Sequence, residues 1–275
     1  VPHVQANGLS FHVQVIRGDD ASSPASSAAS SAGPRPPVVM LHGLVIDNLS
    51  SWFYTLAHPL ALTCDVHLYD LRGHGRTDQP PTGYGVDRQV DDLVALLDAW
   101  GLDEPVHLFG NSFGAVVALA LANRHPERVA SLFLVEAHFA VEGWAEHMAG
   151  SLALAAFGLD ENTSQEWIEN NADRKMSRLA RRAERFLADT TLIQDLKEEQ
   201  PIGWLPQISC PVRAMYGSES DILHLAEALE TQIPGCELEI VPGTTHSLLT
   251  ERSELVRERA LEWMARQRAV ATAGA

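Results

Sequence analysis

Cysteine is scarce. Cys64, Cys210 and Cys236 are three in 275 residues, odd in number and widely spaced. They build neither a disulfide framework nor a zinc motif, which favours a reducing, cytoplasmic setting. Long apolar runs are also missing, since none approaches the ~20 residues that a helix needs to cross a bilayer. Cations are outnumbered: 20 Lys and Arg stand against 36 Asp and Glu, a net charge of −16. That excess opposes binding to nucleic-acid phosphates and anionic membranes. No His-Glu-x-x-His, phosphate loop or dinucleotide fingerprint occurs, so neither a metal nor a cofactor is expected. The chain begins at Val1 and carries no leader pattern, which leaves open a leader removed before it.

What is present is an alternating pattern. "HVQANGLSFHVQVIRG" reads as a hairpin turned at Asn7-Gly8. Ala21 to Pro37 is low-complexity and proline-punctuated, and is expected to form a surface loop. Beyond it, strand and helix signals alternate. "PVVMLHG", "VHLYD", "VHLFG", "RVASLFLVEA", "PVRAMYG" and "CELEIVPG" are short apolar runs. "VDRQVDDLVALLDAWG", "FGAVVALALANRHP", "ILHLAEALETQIPG" and "SELVRERALEWMARQ" are helical in period or punctuation. This order implies an α/β fold with a mostly parallel sheet and helices on both faces. From His138 to about Leu205 no strand is evident, and a helical cap is expected there. The reading is therefore one discontinuous core, 1–137 and 206–275, with a cap at 138–205.

The chemistry centres on Ser112. It stands between Gly110 and Gly114 at a strand-to-helix turn, where it is either a simple helix cap or a nucleophile. A Gly-x-Ser-x-Gly turn exposes the hydroxyl at the carboxyl end of a strand, above a helix N-terminus that favours developing negative charge. A nucleophilic serine needs a base, an acid and an oxyanion hole. His246, in the loop after the last strand, is the candidate base. Asp221, after "VRAMYG", is the preferred acid, with Glu219 and Glu136 as alternatives. The backbone N–H groups of Leu44 and Phe113 are the expected oxyanion donors. Asp47 and Asn48 follow the "LHGL" turn and are candidates for the pocket. His42 and Asn111, beside the two turns, are further candidates, although His42 and His74 fit a loop-orienting role better than that of a base. Trp144, Phe157 and Trp167 are candidate apolar walls from the cap, where packing onto the core is the more ordinary role.

"LHGL", "LYDLRGHGRTD", "GNSFG", "GSESD" and "GTTHS", in that order, resemble the α/β-hydrolase superfamily over nearly the whole chain outside residues 19–37 and the cap. The resemblance implies an α/β-hydrolase fold and hydrolysis of esters, thioesters, lactones or activated carbon–carbon bonds. "GNSFG" and "ALANRHPERV" look like the hydrolases of aromatic ring-fission products. "LHGLVIDNLSS" and "GTTHS" depart from that subtype, and serine at 112 departs from the aspartate of haloalkane dehalogenases and epoxide hydrolases. Cleavage of an ester-type bond in a small, largely apolar molecule is preferred to carbon–carbon cleavage. A base-only lyase or cyclase, or a ligand receptor on the same fold, is the alternative of another class. The expected partner is a small acyl substrate, bound by a monomer or homodimer.

Overall fold

The computed structural model describes residues 2–18, 35–141, 143, 144, 147, 148, 150, 174–199 and 203–273, the side chains of 174–181 and 273 excepted. Its centre is one eight-stranded sheet in the order β1-β2-β4-β3-β5-β6-β7-β8. The strands are β1 (His3–Ala6), β2 (Leu9–Ile16), β3 (Pro37–Leu41), β4 (Asp65–Tyr69), β5 (Val106–Asn111), β6 (Val129–Val135), β7 (Val212–Gly217) and β8 (Glu237–Val241). β1 and β2 form the hairpin, with Asn7 and Gly8 both at positive φ in its two-residue turn. β2 pairs antiparallel with β4, and every later pairing is parallel.

Parallel strands buried on both faces need apolar side chains on both, and these strands have them. Val39, Leu41, Leu108, Leu132 and Leu134 belong to one core cluster. Val38, Met40, Phe109, Phe133 and Val135 belong to the other. Helices α3 (Val86–Ala99), α4 (Phe113–Arg124) and α7 (His224–Gln232) contribute to the first cluster. The short α1 (Ser50–Trp52) and α2 (His58–Ala61), joined by a π-turn, contribute to the second, as does the long C-terminal α9 (Ser253–Ala273). α4 is buried on all sides from Phe113 to Ala122, because it lies on β3, β5 and β6 and is flanked by α3. Its nearly continuous apolar sequence follows from that position.

Between β6 and β7 the described residues contain helices, α5 (Arg174–Asp189) and α6 (Leu192–Lys197), and no strand. Among the described residues, this segment packs onto the main core. Trp144, Met148, Ala183, Phe186, Leu192 and Leu196 pack in the same cluster as α3 and α4. Carboxylates fasten it further. Asp195 accepts the N–H groups of Gly83 and Tyr84, and Glu199 accepts that of Val86, the first residue of α3. Helix α8 (Leu248–Glu251) follows β8.

The parallel register decides where chemistry can occur. Leu41 pairs with Gly110, Asn111 with Val135, Val135 with Met215, and Gly217 with Val241. The carboxyl ends of β3, β5, β6, β7 and β8 therefore share one edge. Ligands of open α/β sheets bind outside that edge.

Candidate active site

Ser112 sits between β5 and α4 with φ 52° and ψ −118°. A non-glycine residue at positive φ is costly, by roughly 1–3 kcal/mol, and is held only where its surroundings over-determine it. The flanking glycines show why the turn can close. A Cβ on Gly110 would stand 2.5 Å from the Ala115 Cα, and one on Gly114 would stand 2.4 Å from the Leu41 carbonyl oxygen. The Ser112 N–H donates to the Val135 carbonyl at 2.9 Å, tying the turn to β6.

His246 Nε2 is 3.1 Å from Ser112 Oγ, and His246 Nδ1 is 3.1 Å from Glu136 Oε2. Glu136, not Asp221, is thus the carboxylate on the imidazole. Glu136 is fully buried, directly follows β6, and has φ 51°. Its other contacts come from β7 and the loop after it: the Gly217 N–H donates to Oε1 at 2.5 Å and the Ser220 hydroxyl to Oε2 at 2.6 Å. The preference for Asp221 fails by one residue. After Gly217 the chain turns through two exposed residues, Ser218 and Glu219, and then points Ser220 inward. The next side chain, Asp221, faces away from Glu136, half exposed, with a carboxylate oxygen 3.2 Å from His147 Nε2. Glu219 is exposed, and its N–H donates to the Thr244 carbonyl.

The His246 loop is braced. Gly217 lets β7 approach it closely, since a Cβ there would lie 2.2 Å from the Thr244 carbonyl oxygen. Glu251 of α8 accepts both the N–H and the hydroxyl of Thr245. The ring of His138 meets that of His246 edge to face, with centroids 5.1 Å apart. Burial holds the His138 pKa well below its ordinary value, with nearby histidines adding to the effect. Its Nδ1 accepts the Trp144 indole N–H at 3.3 Å. Sequence reasoning missed His138, whose partner is set by the segment between β6 and β7.

Gly43 and Leu44 follow β3 and pass beside Ser112. A Cβ on Gly43 would be 3.4 Å from the Ser112 Cβ. The N–H of Gly43 donates to Asp47 Oδ2 and that of Val45 to His74 Nε2. Among the described residues, the N–H groups of Leu44 and Phe113, both on buried residues, have no hydrogen-bond partner. Two such donors beside a serine are available to an oxyanion. Val45, β-branched, carries φ 60° in this turn.

A cavity of about 450 Å³ opens over Ser112, within the ~300–1,000 Å³ range of small-molecule sites. Leu44, Ile46, Met148 and Leu249 supply apolar wall, and Asp47, Asn111 and Asp221 supply polar wall. Three expected pocket residues lie elsewhere. His42 is fully buried, with Nδ1 on the Gly43 carbonyl and Nε2 accepting the Leu71 N–H, so it braces the turn. Asn48 lies outside the cavity and supports α1 through the Ser50 N–H. Trp144 is buried against His138 rather than exposed as a wall. Phe157 and Trp167 lie outside the described residues. A larger cleft, about 760 Å³, lies between α3, α4 and Trp204, but none of Ser112, His246 and Glu136 lines it.

Comparison with known proteins agrees with this fold. Residues 36–252 match the family model described as the alpha/beta hydrolase fold. The chain is 38% identical over 107 residues to a non-heme chloroperoxidase of Streptomyces lividans, 38% of either chain. It is 33% identical over 162 residues to the 2-hydroxymuconate semialdehyde hydrolase of Pseudomonas sp. strain CF600, covering 58% of this chain and 50% of that one. The chain thus spans half or less of the length of these curated relatives. Among solved structures, Est816, described as an N-acyl homoserine lactone degrading enzyme, superposes with a TM-score of 0.68 at 24% identity, covering 95% of this chain and 99% of that one. That likeness shows the fold.

Proposed function

The chain belongs to the alpha/beta hydrolase family, and from that premise we propose that it is a hydrolase that cleaves a carboxylic ester, thioester or lactone of a small, largely apolar molecule through an acyl-enzyme on Ser112. The observation that carries the reading is the continuous chain Ser112–His246–Glu136 beside two unpaired N–H donors.

In the proposed mechanism, His246 Nε2 takes the Ser112 hydroxyl proton as Oγ bonds to the acyl carbon. The carbonyl electron pair moves onto oxygen, which accepts the N–H groups of Leu44 and Phe113. Glu136 accepts the Nδ1–H of the imidazolium and stabilises its charge. His138 positions the ring from the side. Collapse breaks the bond to the leaving group, which departs with the His246 proton. Water then loses a proton to His246 and attacks the acyl carbon, and Ser112 recovers its proton as the acid is released. Serine at 112 makes this an acyl route rather than the alkyl-ester route of an aspartate nucleophile.

Similarity to the semialdehyde hydrolase supports carbon–carbon cleavage as a second reading. A fluorophosphonate probe combined with a panel of acyl esters, thioesters, lactones and a vinylogous diketone tests both. Labelling of Ser112, with ester or lactone turnover that Ser112→Ala abolishes, is the expected result. Diketone turnover without ester turnover would favour the second reading. Catalysis without labelling would favour a base-only lyase.

A further inference from the structure

Resting on the hydrolase reading above, we infer that the site takes acyl compounds that bear no carboxylate and turns away those that do, with Asp47 as the residue that sets this preference. Asp47 and Asp221 are the carboxylates on the cavity wall. Asp221 lies with a carboxylate oxygen 3.2 Å from His147 Nε2. Among the described residues, Asp47 pairs with no cation. Its oxygens accept the N–H groups of Gly43 and Asn48 at 2.8 Å and the Asn111 amide at 3.4 Å. These donors hold the carboxylate in place without cancelling its charge. Only Gly43 separates it from the nucleophile: a Cβ there would stand 3.2 Å from Asp47 Oδ2 and 3.4 Å from the Ser112 Cβ.

Among the described residues no Lys or Arg lines this cavity, and Arg182, which shares a small neighbouring pocket with Asp47, donates to the Gly75 carbonyl. Residues 42–51, 110–123, 217–224 and 242–251, which form or follow the ends of β3, β5, β7 and β8, contain no Lys or Arg, and Arg72, after β4, is paired with Asp92. The whole stretch 136–173 also contains no Lys or Arg. Recognition of a carboxylate ordinarily uses an Arg or Lys, or a group of convergent N–H donors. Here the two free N–H groups are committed to the oxyanion. A carboxylate on the acyl tail would share a partly desolvated cavity with Asp47. The oxyanion formed in the transition state would add a further negative charge, so repulsion grows along the reaction and lowers kcat/KM. That separates this cavity from one built for muconate-type acids, and it favours the ester-type reading over ring-fission chemistry.

The test compares two esters matched in shape, 4-nitrophenyl 4-methylpentanoate and 4-nitrophenyl hydrogen succinate, on the full chain. The neutral ester should exceed the anionic one in kcat/KM by at least about tenfold, with both corrected for their spontaneous hydrolysis. Asp47→Asn keeps an acceptor for the Gly43 N–H and should shrink that ratio by about threefold or more. Raising ionic strength in the unaltered protein should also shrink it, because salt screens exposed charge pairs. Equal turnover of the two esters overturns the inference and leaves the hydrolase reading intact. An unchanged ratio in a folded Asp47→Asn variant overturns the role of Asp47. If that variant does not fold, the salt series decides, and a ratio indifferent to salt counts against the inference. If neither ester is hydrolysed and the fluorophosphonate probe leaves Ser112 unlabelled, the hydrolase reading fails and the inference falls with it.

Discussion

Ser112, Glu136 and Val45 all hold left-handed backbone conformations, and all three stand at the same sheet edge. Each costs roughly 1–3 kcal/mol, and such strain gathers where a side chain or an N–H must be aimed. For Glu136 the aim is His246, and the roles of the two candidate carboxylates can be separated by mutation. Glu136→Gln should lower kcat by at least about a hundredfold, since an amide can offer an N–H where the imidazole needs an acceptor. Asp221→Asn should change kcat by less than about threefold, because Asp221 touches His147 and not His246. Steady-state kinetics on the two variants decides the matter, and the reverse ranking would return the acid to the loop after β7. Ser112→Ala should lose about six orders of magnitude in kcat if serine and histidine act as a unit. Its circular dichroism should match the parent.

At the scale of elements, the turn between β5 and α4 depends on a missing side chain. Gly114→Ala would drive a Cβ into the Leu41 carbonyl, the last residue of β3. The oxyanion turn follows directly after that strand, so this variant should lose activity as well as stability, by several degrees in Tm. A second junction lies far from the chemistry. Asp92 of α3 receives two hydrogen bonds from Arg72, at 2.7 and 2.6 Å, and one from Asn7 in the hairpin turn. Removing one member of a buried ion pair strands the other, typically at about 3–5 kcal/mol. Asp92→Ala should therefore strongly lower the unfolding free energy from urea titration, whereas Asp87→Ala, which removes an exposed partner of Arg124, should change it by less than about 1 kcal/mol. The helices between β6 and β7 behave as part of the main core, since their apolar residues join the cluster on α3 and α4.

Across the whole molecule, stability should depend on pH through buried histidines. Burial pushes the pKa of His67 and His107 down to about 4 and that of His74, with His42 beside it, to about 3. In the unfolded chain each returns to about 6.5. Between those values the unfolded state binds protons that the folded state refuses. Their stabilisation is thus complete above about pH 6.5 and lost on acidification, at up to about 1.4 kcal/mol per pH unit for each residue. For His67 and His107 the loss levels off below about pH 4. Urea titrations from pH 7.5 to 4.5 should show the decline, and His107→Gln should make it shallower. The segment between β2 and β3 should matter little. Its flanks already meet, because a Cβ on Gly18 would touch the Arg35 guanidinium, and Arg35 is anchored to Asp65. Deleting residues 21–32, which lie outside the described residues, should move Tm by less than about 2 °C, since closure entropy changes slowly with loop length.

No helix among the described residues is long and apolar enough to cross a membrane. The alternation of short apolar runs with amphipathic segments was enough to place the sheet, because parallel strands buried on both faces must be apolar throughout. The nucleophile turn was legible for the same kind of reason. Gly110, Ser112 and Gly114 are local requirements of one backbone turn, and a local requirement leaves its mark in contiguous residues. Ser112, His246, Leu44 and Phe113 could be proposed to lie together before any coordinates because each immediately follows, or loops from, a strand end. The acid could not be chosen this way. Glu136 and Asp221 both follow strands whose ends share one edge, and the sequence by itself offered no way to tell which carboxylate faces inward. That choice rests on the φ of Glu136, the inward turn of Ser220 and the packing of His138 under Trp144. Ser220 and His246 meet Glu136 from 84 and 110 residues away in the chain, and only the folded tertiary structure brings them together.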